Sequence, residues 1–355
     1  MVLRSNTARF GEQNTFLDIF TLEKQIQLET KDECMIADVY QIVADERSQC
    51  LFVFDRTREN VLQFAFDGKF IRRIGGKGQG PGEFLGPIGI AFLTENTFAL
   101  ASLSLQKLFL YDYEGKLYHS FFLGDTSAGY RIIPAGITGY GHRIMVSNEM
   151  CFPLPKREIQ KAIYVFNRNG KVINKFGNYD TRLKKLRTSP VFGIDCDIET
   201  GKVFLGNTFD LQISMYDSHG VFLKSWRLDH QTNATKLSAL DKSGDLDIKD
   251  RRSIFTEVER LWAIFYIKPY VVIFSLPDKR SMLRCCIFDP VNDSLLVDHP
   301  QMWFAKEDSL SMPVGDVRGK YSRGVIFAGE SNAVGTDNIP LNPIVQFYRL
   351  NVSPR

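Results

Sequence analysis

Residues 51–74, LFVFDRTRENVLQFAFDGKFIRRI, contain the pattern that decides the fold. A first apolar run ends at Asp55, and a second run places apolar side chains alternately, as at Leu62 and Phe64. An Asp-Gly turn at Gly68 then leads into a third run that ends at Ile74. Apolar runs joined by short turns of this chemistry predict antiparallel strands connected by hairpins.

The same unit recurs around four hairpin glycines. An aromatic residue precedes each glycine by four positions, and a large apolar residue follows it by six. The glycines are Gly68, Gly115, Gly170 and Gly220, the aromatic residues Phe64, Tyr111, Phe166 and Tyr216, and the apolar residues Ile74, Phe121, Phe176 and Trp226. Units also open with a proline and a nearby glycine, as at Pro87 and Gly89. Proline is tolerated at the start of a strand but not in its centre, so it marks the start of one further strand. Together with the three apolar runs, this strand gives each unit a predicted total of four.

Two looser units follow, with Phe288 and Phe347 at the aromatic position, and they bring the number of units to six. The last unit has no room for its outer strand before the chain ends at Arg355, whereas residues 20–30, FTLEKQIQLET, form a strand without a unit. We predict a six-bladed β-propeller in which residues 20–30 complete the last blade, because ring closure removes open sheet edges. The alternatives are a pair of β-sandwiches, which needs no repeated four-strand unit, or a linear β-solenoid, which needs capping units but no exchange between the termini.

The predicted architecture is one all-β domain over residues 1–355 with four-stranded antiparallel blades. The blades are expected at about 36–75, 87–124, 133–178, 190–228, 269–300 and 312–351, the last together with 20–30. An insert at about 229–268 is predicted to be helical, since apolar residues recur there at helical spacing after an N-cap at Asp250 or Ser253. These apolar residues are Ile254, Val258, Leu261, Trp262 and Phe265.

The composition is that of a folded globular protein, with 44% hydrophobic and 24% charged residues. Lys+Arg 44 against Asp+Glu 41 leaves a net charge of only +3, so the charge balance requires neither a nucleic-acid nor an acidic-membrane partner. No apolar stretch is long enough for a transmembrane helix, and the first twenty residues lack the apolar core of a signal peptide. The six cysteines contain no C-x-x-C pair, so we expect buried thiols, with vicinal Cys285 and Cys286 as the pair to inspect.

The sequence of the first hundred residues resembles that of a known family. Residues 66–84, FDGKFIRRIGGKGQGPGEF, and residues 26–30, IQLET, resemble the start of six-bladed propellers that are common in Bacteroidetes and related to NHL-repeat propellers. The resemblance implies a propeller of undefined activity that is exported or anchored in the cell envelope. This chain departs from that pattern because it shows neither a signal peptide nor a lipid-attachment cysteine, so its location stays open between export and the cytoplasm.

Two motifs look like ligand-binding sites, but a structural interpretation is favoured for each. Residues 75–82, GGKGQGPG, are glycine-rich, but Lys77 is followed by Gly78 and strands are predicted on both sides, so a turn between blades is favoured over a phosphate-binding loop. The acidic run 241–250, DKSGDLDIKD, lacks the spacing of an EF-hand. A solvated loop that caps the predicted helix is the favoured interpretation.

The sequence identifies no catalytic and no cofactor-binding residue. Only five histidines are present, and His119 and His219 fall on an outer strand and an outer turn, which leaves too few for a zinc site. A Ca²⁺ site of carboxylate and amide oxygens is the metal alternative, with Asn148, Asp195 and Asn207 as its candidate ligands. No other cofactor is predicted.

The favoured function is therefore a monomeric, non-enzymatic propeller that presents loops on one face to a protein, peptide or glycan partner. Extra length is concentrated in residues 149–158, 229–268 and 329–343. The alternative is a lactonase-like hydrolase or lyase that uses a divalent metal at the central channel. RNA binding through the basic runs 182–187 and 318–323 is disfavoured, since a solvated surface explains them at this net charge.

Overall fold

The computed structural model describes residues 1–3, 16–94, 96–125, 130–148, 161–178, 193–207, 211–228, 235, 238, 259–276, 283–302, 316–329 and 341–352. Six antiparallel sheets follow one another along the chain, each with four strands in sequential order apart from strands contributed by the N-terminus. The fold is a six-bladed β-propeller, as predicted. Among the described residues, no helix is long and apolar enough to span a membrane.

The strands divide among the blades in chain order. Two N-terminal strands, β1 (Val2–Leu3) and β2 (Phe20–Gln27), come first, with helix α1 (Phe16–Ile19) between them and a 3₁₀ turn at Asp32–Cys34 after them. Blade 1 contains β3 (Val39–Asp45), β4 (Cys50–Asp55), β5 (Asn60–Ala65) and β6 (Phe70–Ile74). Blade 2 contains β7 (Pro87–Phe92), β8 (Thr97–Ser102), β9 (Lys107–Asp112) and β10 (Leu117–Phe122), and a small ribbon of β11 (Gly124–Asp125) and β12 (Tyr130–Arg131) follows it.

The remaining blades repeat this order. Blade 3 contains β13 (Pro134–Tyr140), β14 (Arg143–Asn148), β15 (Ile163–Phe166) and β16 (Val172–Phe176). Blade 4 contains β17 (Gly193–Cys196), β18 (Val203–Gly206), β19 (Gln212–Tyr216) and β20 (Phe222–Leu228). Blade 5 contains β21 (Arg260–Ile267), β22 (Tyr270–Leu276), β23 (Leu283–Asp289) and β24 (Ser294–Met302), and blade 6 contains β25 (Asp316–Tyr321), β26 (Gly324–Gly329) and β27 (Ile344–Leu350).

Backbone contacts group the chain into two compact units. One unit comprises residues 1–13 and 121–302, and the other comprises residues 14–120 and 303–355. Blades 3, 4 and 5 therefore belong to the first unit, and blades 1 and 6 with most of blade 2 belong to the second.

The N-terminal segment completes blade 6. Strand β2 pairs with β27 in antiparallel register, with Lys24 opposite Phe347 and Gln25 opposite Gln346, so the predicted exchange between the termini is confirmed. Ile26 of β2 is 3% exposed in a cluster that includes Phe347. The Glu23 carboxylate also accepts a hydrogen bond from the Tyr321 hydroxyl at 2.9 Å, which ties β2 to β25.

The hairpin glycines form the joints between successive blades. A Cβ atom on Gly170 of blade 3 would lie 2.5 Å from Cγ of Phe121, which belongs to the outer strand of blade 2. A Cβ on Gly220 of blade 4 would lie 2.3 Å from the Phe176 ring at the end of blade 3. Gly115 has the same relation to Ile74 of blade 1, at 3.2 Å. The glycine and the apolar residue of the sequence repeat are therefore partners across adjacent blades, because the outer strand of one blade ends beneath the hairpin of the next.

Apolar clusters fill the space between neighbouring blades within each unit. Phe52 of blade 1 packs against Phe98 of blade 2 with ring centroids 5.6 Å apart, and both side chains are fully buried. Val165 of blade 3 shares a cluster with Leu205 of blade 4. Burial of each such side chain stabilises the fold by about 1.5–3 kcal/mol.

The first strand of most blades carries a β-bulge near its start. The register shifts lie between Val39 and Gln41, Pro87 and Gly89, Pro134 and Gly136, Leu261 and Ala263, and Val317 and Gly319. A bulge inserts one residue and bends the strand. The proline and glycine that open two of the units therefore mark a strand start followed by a bulge.

The predicted helix at 254–265 is wrong over its second half, because residues 260–267 form β21. The residues of the predicted helical face do not share one face of β21, since Leu261 is buried whereas Trp262 is 43% exposed. A bulge between Leu261 and Ala263 also interrupts the alternation by which a strand would have been recognised. Blade 5 consequently begins at Arg260 rather than near 269. Thr235 and Ser238 of the insert are helical, whereas Ile254, Val258 and the predicted N-caps lie outside the described residues.

We predict that Gly170→Ala destabilises the fold more than Gly141→Ala. Both glycines lie in hairpins of blade 3 with positive φ (+78° and +57°), so each substitution costs roughly 1–2 kcal/mol of backbone strain. A Cβ at Gly141 meets nothing within 4 Å, whereas a Cβ at Gly170 meets Phe121. The joint should add about 1–3 kcal/mol to the loss at Gly170, measured as the free energy of unfolding in urea. Equal losses for the two variants would show that the joint contributes nothing.

We also predict that Ile26→Ala lowers the free energy of unfolding by about 2–4 kcal/mol, because it leaves a cavity where β2 joins blade 6. The control is Gln25→Ala on the exposed face of the same strand, for which we expect a loss below about 1 kcal/mol. Urea unfolding and amide hydrogen exchange along β27 measure both effects. Unchanged protection of β27 in the Ile26 variant would contradict a stabilising role for the N-terminal strand.

Candidate functional site at one end of each blade

Each blade has two ends that differ in their connections. At the hairpin end, short turns join the first strand to the second and the third to the fourth, as at residues 46–49 and 217–221. At the other end, which we call the long-loop end, lie the connections from the second strand to the third and from one blade to the next. The longest connections start and end at this end of the strands, and their residues are 149–162, 177–192, 229–259, 303–315 and 330–343. The extra length noted in the sequence therefore emerges from the same end of every blade that carries it.

A polar residue that closes the second strand fixes the long-loop end of blade 1. The Asp55 carboxylate accepts hydrogen bonds from the backbone N–H of Ala37 at 2.6 Å, before β3 begins. It also accepts bonds from the N–H groups of Thr57 and Arg58, each at 3.0 Å, in the following turn. One buried side chain thus holds together the start of the first strand and the connection to the third.

The equivalent residues of blades 2 and 3 also form hydrogen bonds to backbone groups ahead of the first strand. The Ser102 hydroxyl donates to the backbone carbonyl of Leu85, ahead of β7, and accepts from the N–H of Leu105 at 3.3 Å. The Asn148 amide oxygen accepts from the N–H of Ile133 at 2.8 Å, ahead of β13. Small polar residues at this position of the repeat are therefore structural hydrogen-bonding groups.

The three candidate calcium ligands occupy different structural positions. Asn148 is the last residue of the second strand of blade 3, whereas Asn207 directly follows the second strand of blade 4. The Asn207 backbone N–H donates to the backbone carbonyl of Gln212 at 2.8 Å. Asp195 lies in β17, and its carboxylate accepts from the N–H of Tyr266 at 2.7 Å, which joins the first strands of blades 4 and 5. In the described part of the chain, no group of three or more histidine, cysteine, aspartate or glutamate side chains is arranged to hold a metal ion.

Blade 5 carries a buried charged network at its long-loop end. Ser275 is the second-last residue of β22, and its hydroxyl donates to the carboxylate of Glu259, which immediately precedes β21. Arg284 of β23 donates to Glu259 Oε2 at 3.1 Å and forms a bidentate pair with Asp298 of β24, through Nε at 2.7 Å and Nη2 at 3.0 Å. Glu259 is 0% exposed, and Arg284 and Asp298 are each 6% exposed. The network therefore links all four strands of the blade.

The electrostatics of this network keep the guanidinium charged and the neighbouring thiols neutral. Burial by itself would lower the pKa of Arg284, but the charges and hydrogen bonds around it, including those of Asp298 and Glu259, outweigh burial and raise the pKa. Burial raises the pKa of Cys285 and of Cys286 well above the usual range of a thiol. Protonated, enclosed thiols are inert, so this vicinal pair is structural.

The other sequence motifs fall in structural positions where the structure describes them. Residues 75–82 form the turn from β6 to β7, with positive φ at Gly75 and Gly82. In the basic run 318–323, Arg323 forms an ion pair with Glu23 at 3.1 Å. The described cysteines are buried and form no disulfide: Cys34, Cys50, Cys196, Cys285 and Cys286. Residues 182–187, residues 241–250 and Cys151 lie outside the described residues.

Sequence reasoning missed the charged network, although a signal was present. Arg284 interrupts the apolar run LRCCIFD, and Asp298 directly follows the run LLV. A charge inside a strand that is buried on both faces requires an ionic partner. The partner could not be named from the sequence, because strand register decides which side chains meet.

We predict that Arg284→Met costs about 3–5 kcal/mol of stability, since it leaves two buried carboxylates without their cation. The matched control is Arg56→Met, which removes a guanidinium from an ion pair with Asp38 in which Arg56 is 60% exposed. The control should lose less than about 1 kcal/mol. Urea unfolding of both variants at neutral pH measures the difference, and similar losses would contradict the importance of the network.

Solved structures share this architecture at low sequence identity. A candidate exported protein of Bacteroides fragilis matches with a TM-score of 0.69 and 14% identity, over 99% of this chain and 100% of that chain. A member of the DUF4221 family from Bacteroides vulgatus matches with a TM-score of 0.59 and 12% identity, over 94% of this chain and 98% of that chain. Hydrazine synthase of Kuenenia stuttgartiensis matches with a TM-score of 0.50 and 12% identity, over 84% of this chain and 76% of that chain. Identities this low show the fold alone.

No curated protein matches this chain. The resemblance to Bacteroidetes propellers that residues 26–30 and 66–84 indicated is confirmed by a family match. The model of one family covers residues 12–191, which is half of the chain and includes the N-terminal strand of blade 6 and blades 1, 2 and 3. The chain belongs to the family described as Domain of unknown function (DUF4934).

Proposed function

We propose that this chain is a non-enzymatic binding propeller that holds a protein, peptide or glycan partner with the connections at the long-loop ends of its blades. The observation that carries the proposal is the asymmetry between the two ends of each blade. Hairpin ends have short turns, whereas the long-loop ends carry the connections at 149–162, 229–259 and 330–343. Binding residues are commonly placed on such loops, positioned by a rigid scaffold.

The scaffold beneath these connections is fixed by side chains. Asn148 directly precedes the connection 149–162 and bonds to the Ile133 N–H outside its own strand, so the point from which this connection departs is held in place. Asp55 and Ser102 make equivalent bonds at the shorter connections of blades 1 and 2. In blade 5, the Arg284 network does this with buried charges. Supporting hydrogen bonds of this kind preorganise a binding surface and lower the entropy lost on association.

The reactive side chains of the described residues favour binding over covalent chemistry. Cys285 and Cys286 are fully buried and have raised pKa values, so they lack the thiolate that a nucleophile requires. The Ser275 hydroxyl is buried and donates to Glu259. These groups stabilise blade 5.

We further propose that the protein acts outside the cytoplasm. The support is the likeness in fold to the candidate exported protein of Bacteroides fragilis and the sequence resemblance to envelope propellers. Fractionation of the producing cells, followed by detection of this chain with an antibody, tests the location. Recovery solely in the cytoplasmic fraction would contradict it.

We predict that changes at the two ends of the blades affect binding differently. In one variant a Gly-Ser linker of equal length replaces residues 149–158, and in the control Glu114→Ala and Lys116→Ala alter a hairpin end. Ligands are first identified with the unmodified protein on a glycan array and by chemical crosslinking at the cell surface. The loop variant should bind them roughly tenfold more weakly, while the control stays within about twofold. Loss in the control with retention in the loop variant would contradict the proposal.

A further inference from the structure

A cleft lies between the outer strand of blade 1 and the 3₁₀ turn that follows β2. Its volume is about 550 Å³, and its walls are formed by Phe70 and Arg73 of β6 and by Asp32 and Glu33 of the turn. All four residues belong to one of the two compact units. Small-molecule sites commonly have volumes of about 300–1,000 Å³, so the cleft is large enough for a small ligand or for one side chain of a partner.

Buried contacts hold the turn in place. Cys34, the last residue of the turn, is fully buried. The buried side-chain amide of Asn342 donates to the backbone carbonyls of Glu29 and Cys34 at 2.6 and 2.8 Å. Because these bonds fix the backbone on both sides of the turn, Asp32 and Glu33 belong to a rigid segment.

The opposite wall of the cleft is bound to the same segment. The Phe70 N–H donates to the Glu29 carboxylate at 2.9 Å, and the Phe70 ring packs against the ring of Phe64 with 5.6 Å between the centroids. Arg73 donates through Nη2 to the backbone carbonyl of Glu33. Both walls are therefore fixed before a ligand arrives, which lowers the entropy lost on binding.

The charges of the lining favour a cation. The exposed residues Asp32 and Glu33 supply two carboxylates, and Arg73 supplies one guanidinium, so the lining carries a net charge of −1. The arginine also already donates to a backbone carbonyl of the protein. The lysines next to these segments in the sequence form ion pairs with other carboxylates: Lys31 with Glu29 at 2.5 Å, and Lys69 with Asp67 at 3.3 Å.

We propose that this cleft binds an alkylguanidinium or alkylammonium group, with the charge beside Asp32 and Glu33 and the aliphatic stem against the ring of Phe70. Stems of this kind cover apolar surface while the charged head stays in water, and an aromatic face attracts the cation. The group comes either from an arginine or lysine side chain of a partner or from a free polyamine. None of the four lining residues belongs to the connections of the proposed binding surface, so this proposal holds or fails independently of that function.

The first experiment compares n-butylguanidinium with n-butylurea, which has a similar shape and no charge. Amide chemical shifts of the full chain are followed while each compound is added. Butylguanidinium should shift the amides of residues 32–34 and 70–73 with a dissociation constant on the order of millimolar, because exposed carboxylates attract a cation weakly. Butylurea should bind at least roughly tenfold more weakly, and added salt should weaken the binding of butylguanidinium.

Variants of the lining test the sign of the charge effect. Glu33→Gln should weaken the binding of butylguanidinium roughly threefold, whereas Glu114→Gln, which neutralises an exposed carboxylate in a hairpin of blade 2, should leave it unchanged. Phe70→Leu keeps an apolar side chain but removes the ring, so it should also weaken binding roughly threefold. Arg73→Gln should strengthen binding roughly threefold, since it removes a like charge while its amide can still donate to the Glu33 carbonyl.

Two further ligands identify the source of the cation. Tighter binding of the peptide acetyl-Gly-Arg-Gly-amide than of spermidine would support a partner side chain, and the reverse would support a free polyamine. Equal binding of butylguanidinium and butylurea would overturn the proposal. Weaker binding of butylguanidinium to the Arg73 variant would overturn it too, because the guanidinium would then be a ligand-binding group. If Phe70→Leu unfolds the chain, the exposed Glu33 and Arg73 variants decide.

Discussion

The joint between a hairpin glycine and the last apolar residue of the preceding blade is the contact on which the rest of the structure depends. A Cβ at Gly170 or Gly220 would fall within 2.5 Å of Phe121 or Phe176, so the hairpin can seat against its neighbour only if that position has no side chain. Blade 5 makes the joint differently. Its turn carries Asp293, whose carboxylate accepts from Trp226 Nε1 at 2.8 Å, so a polar contact replaces a steric one.

This joint also explains how much of the fold the sequence could predict. Because the hairpin glycine and the apolar residue recur at fixed spacing in blades 1 to 4, they revealed the repeat, and the missing outer strand of the last unit pointed to β2. The same reasoning failed at β21, because the extra residue between Leu261 and Ala263 interrupts the period of two and the apolar residues Leu261, Trp262 and Phe265 fit a helical spacing instead. Local periodicity cannot separate a bulged strand from a helix without knowledge of the pairing partner.

The candidate site was less predictable, because its residues act through contacts between strands. Asn148 was recognised as a repeat position, but its bond to the Ile133 N–H depends on the place where the chain enters β13. The same position is Asp55 in blade 1 and Ser102 in blade 2. Asp55 accepts from the Ala37 N–H, and Ser102 donates to the Leu85 carbonyl, in each case a backbone group that precedes the first strand of the blade. Residue type at this position therefore reports a local hydrogen-bonding need.

In a repeat protein, the positions shared by all repeats are constrained by folding, so binding specificity arises at positions that depart from the repeat. The outer strands of blades 1, 3 and 4 each bear a bulged apolar residue, Ile71, Ile173 and Leu223, and bulges of this kind deter pairing at sheet edges. In blade 4 the strand continues past its bulge to Leu228, which leaves a regular edge where β1 is bound. The extra residues at the end of β20 therefore convert a protected edge into one that accepts a strand, while the joints that hold the blade in place remain unchanged.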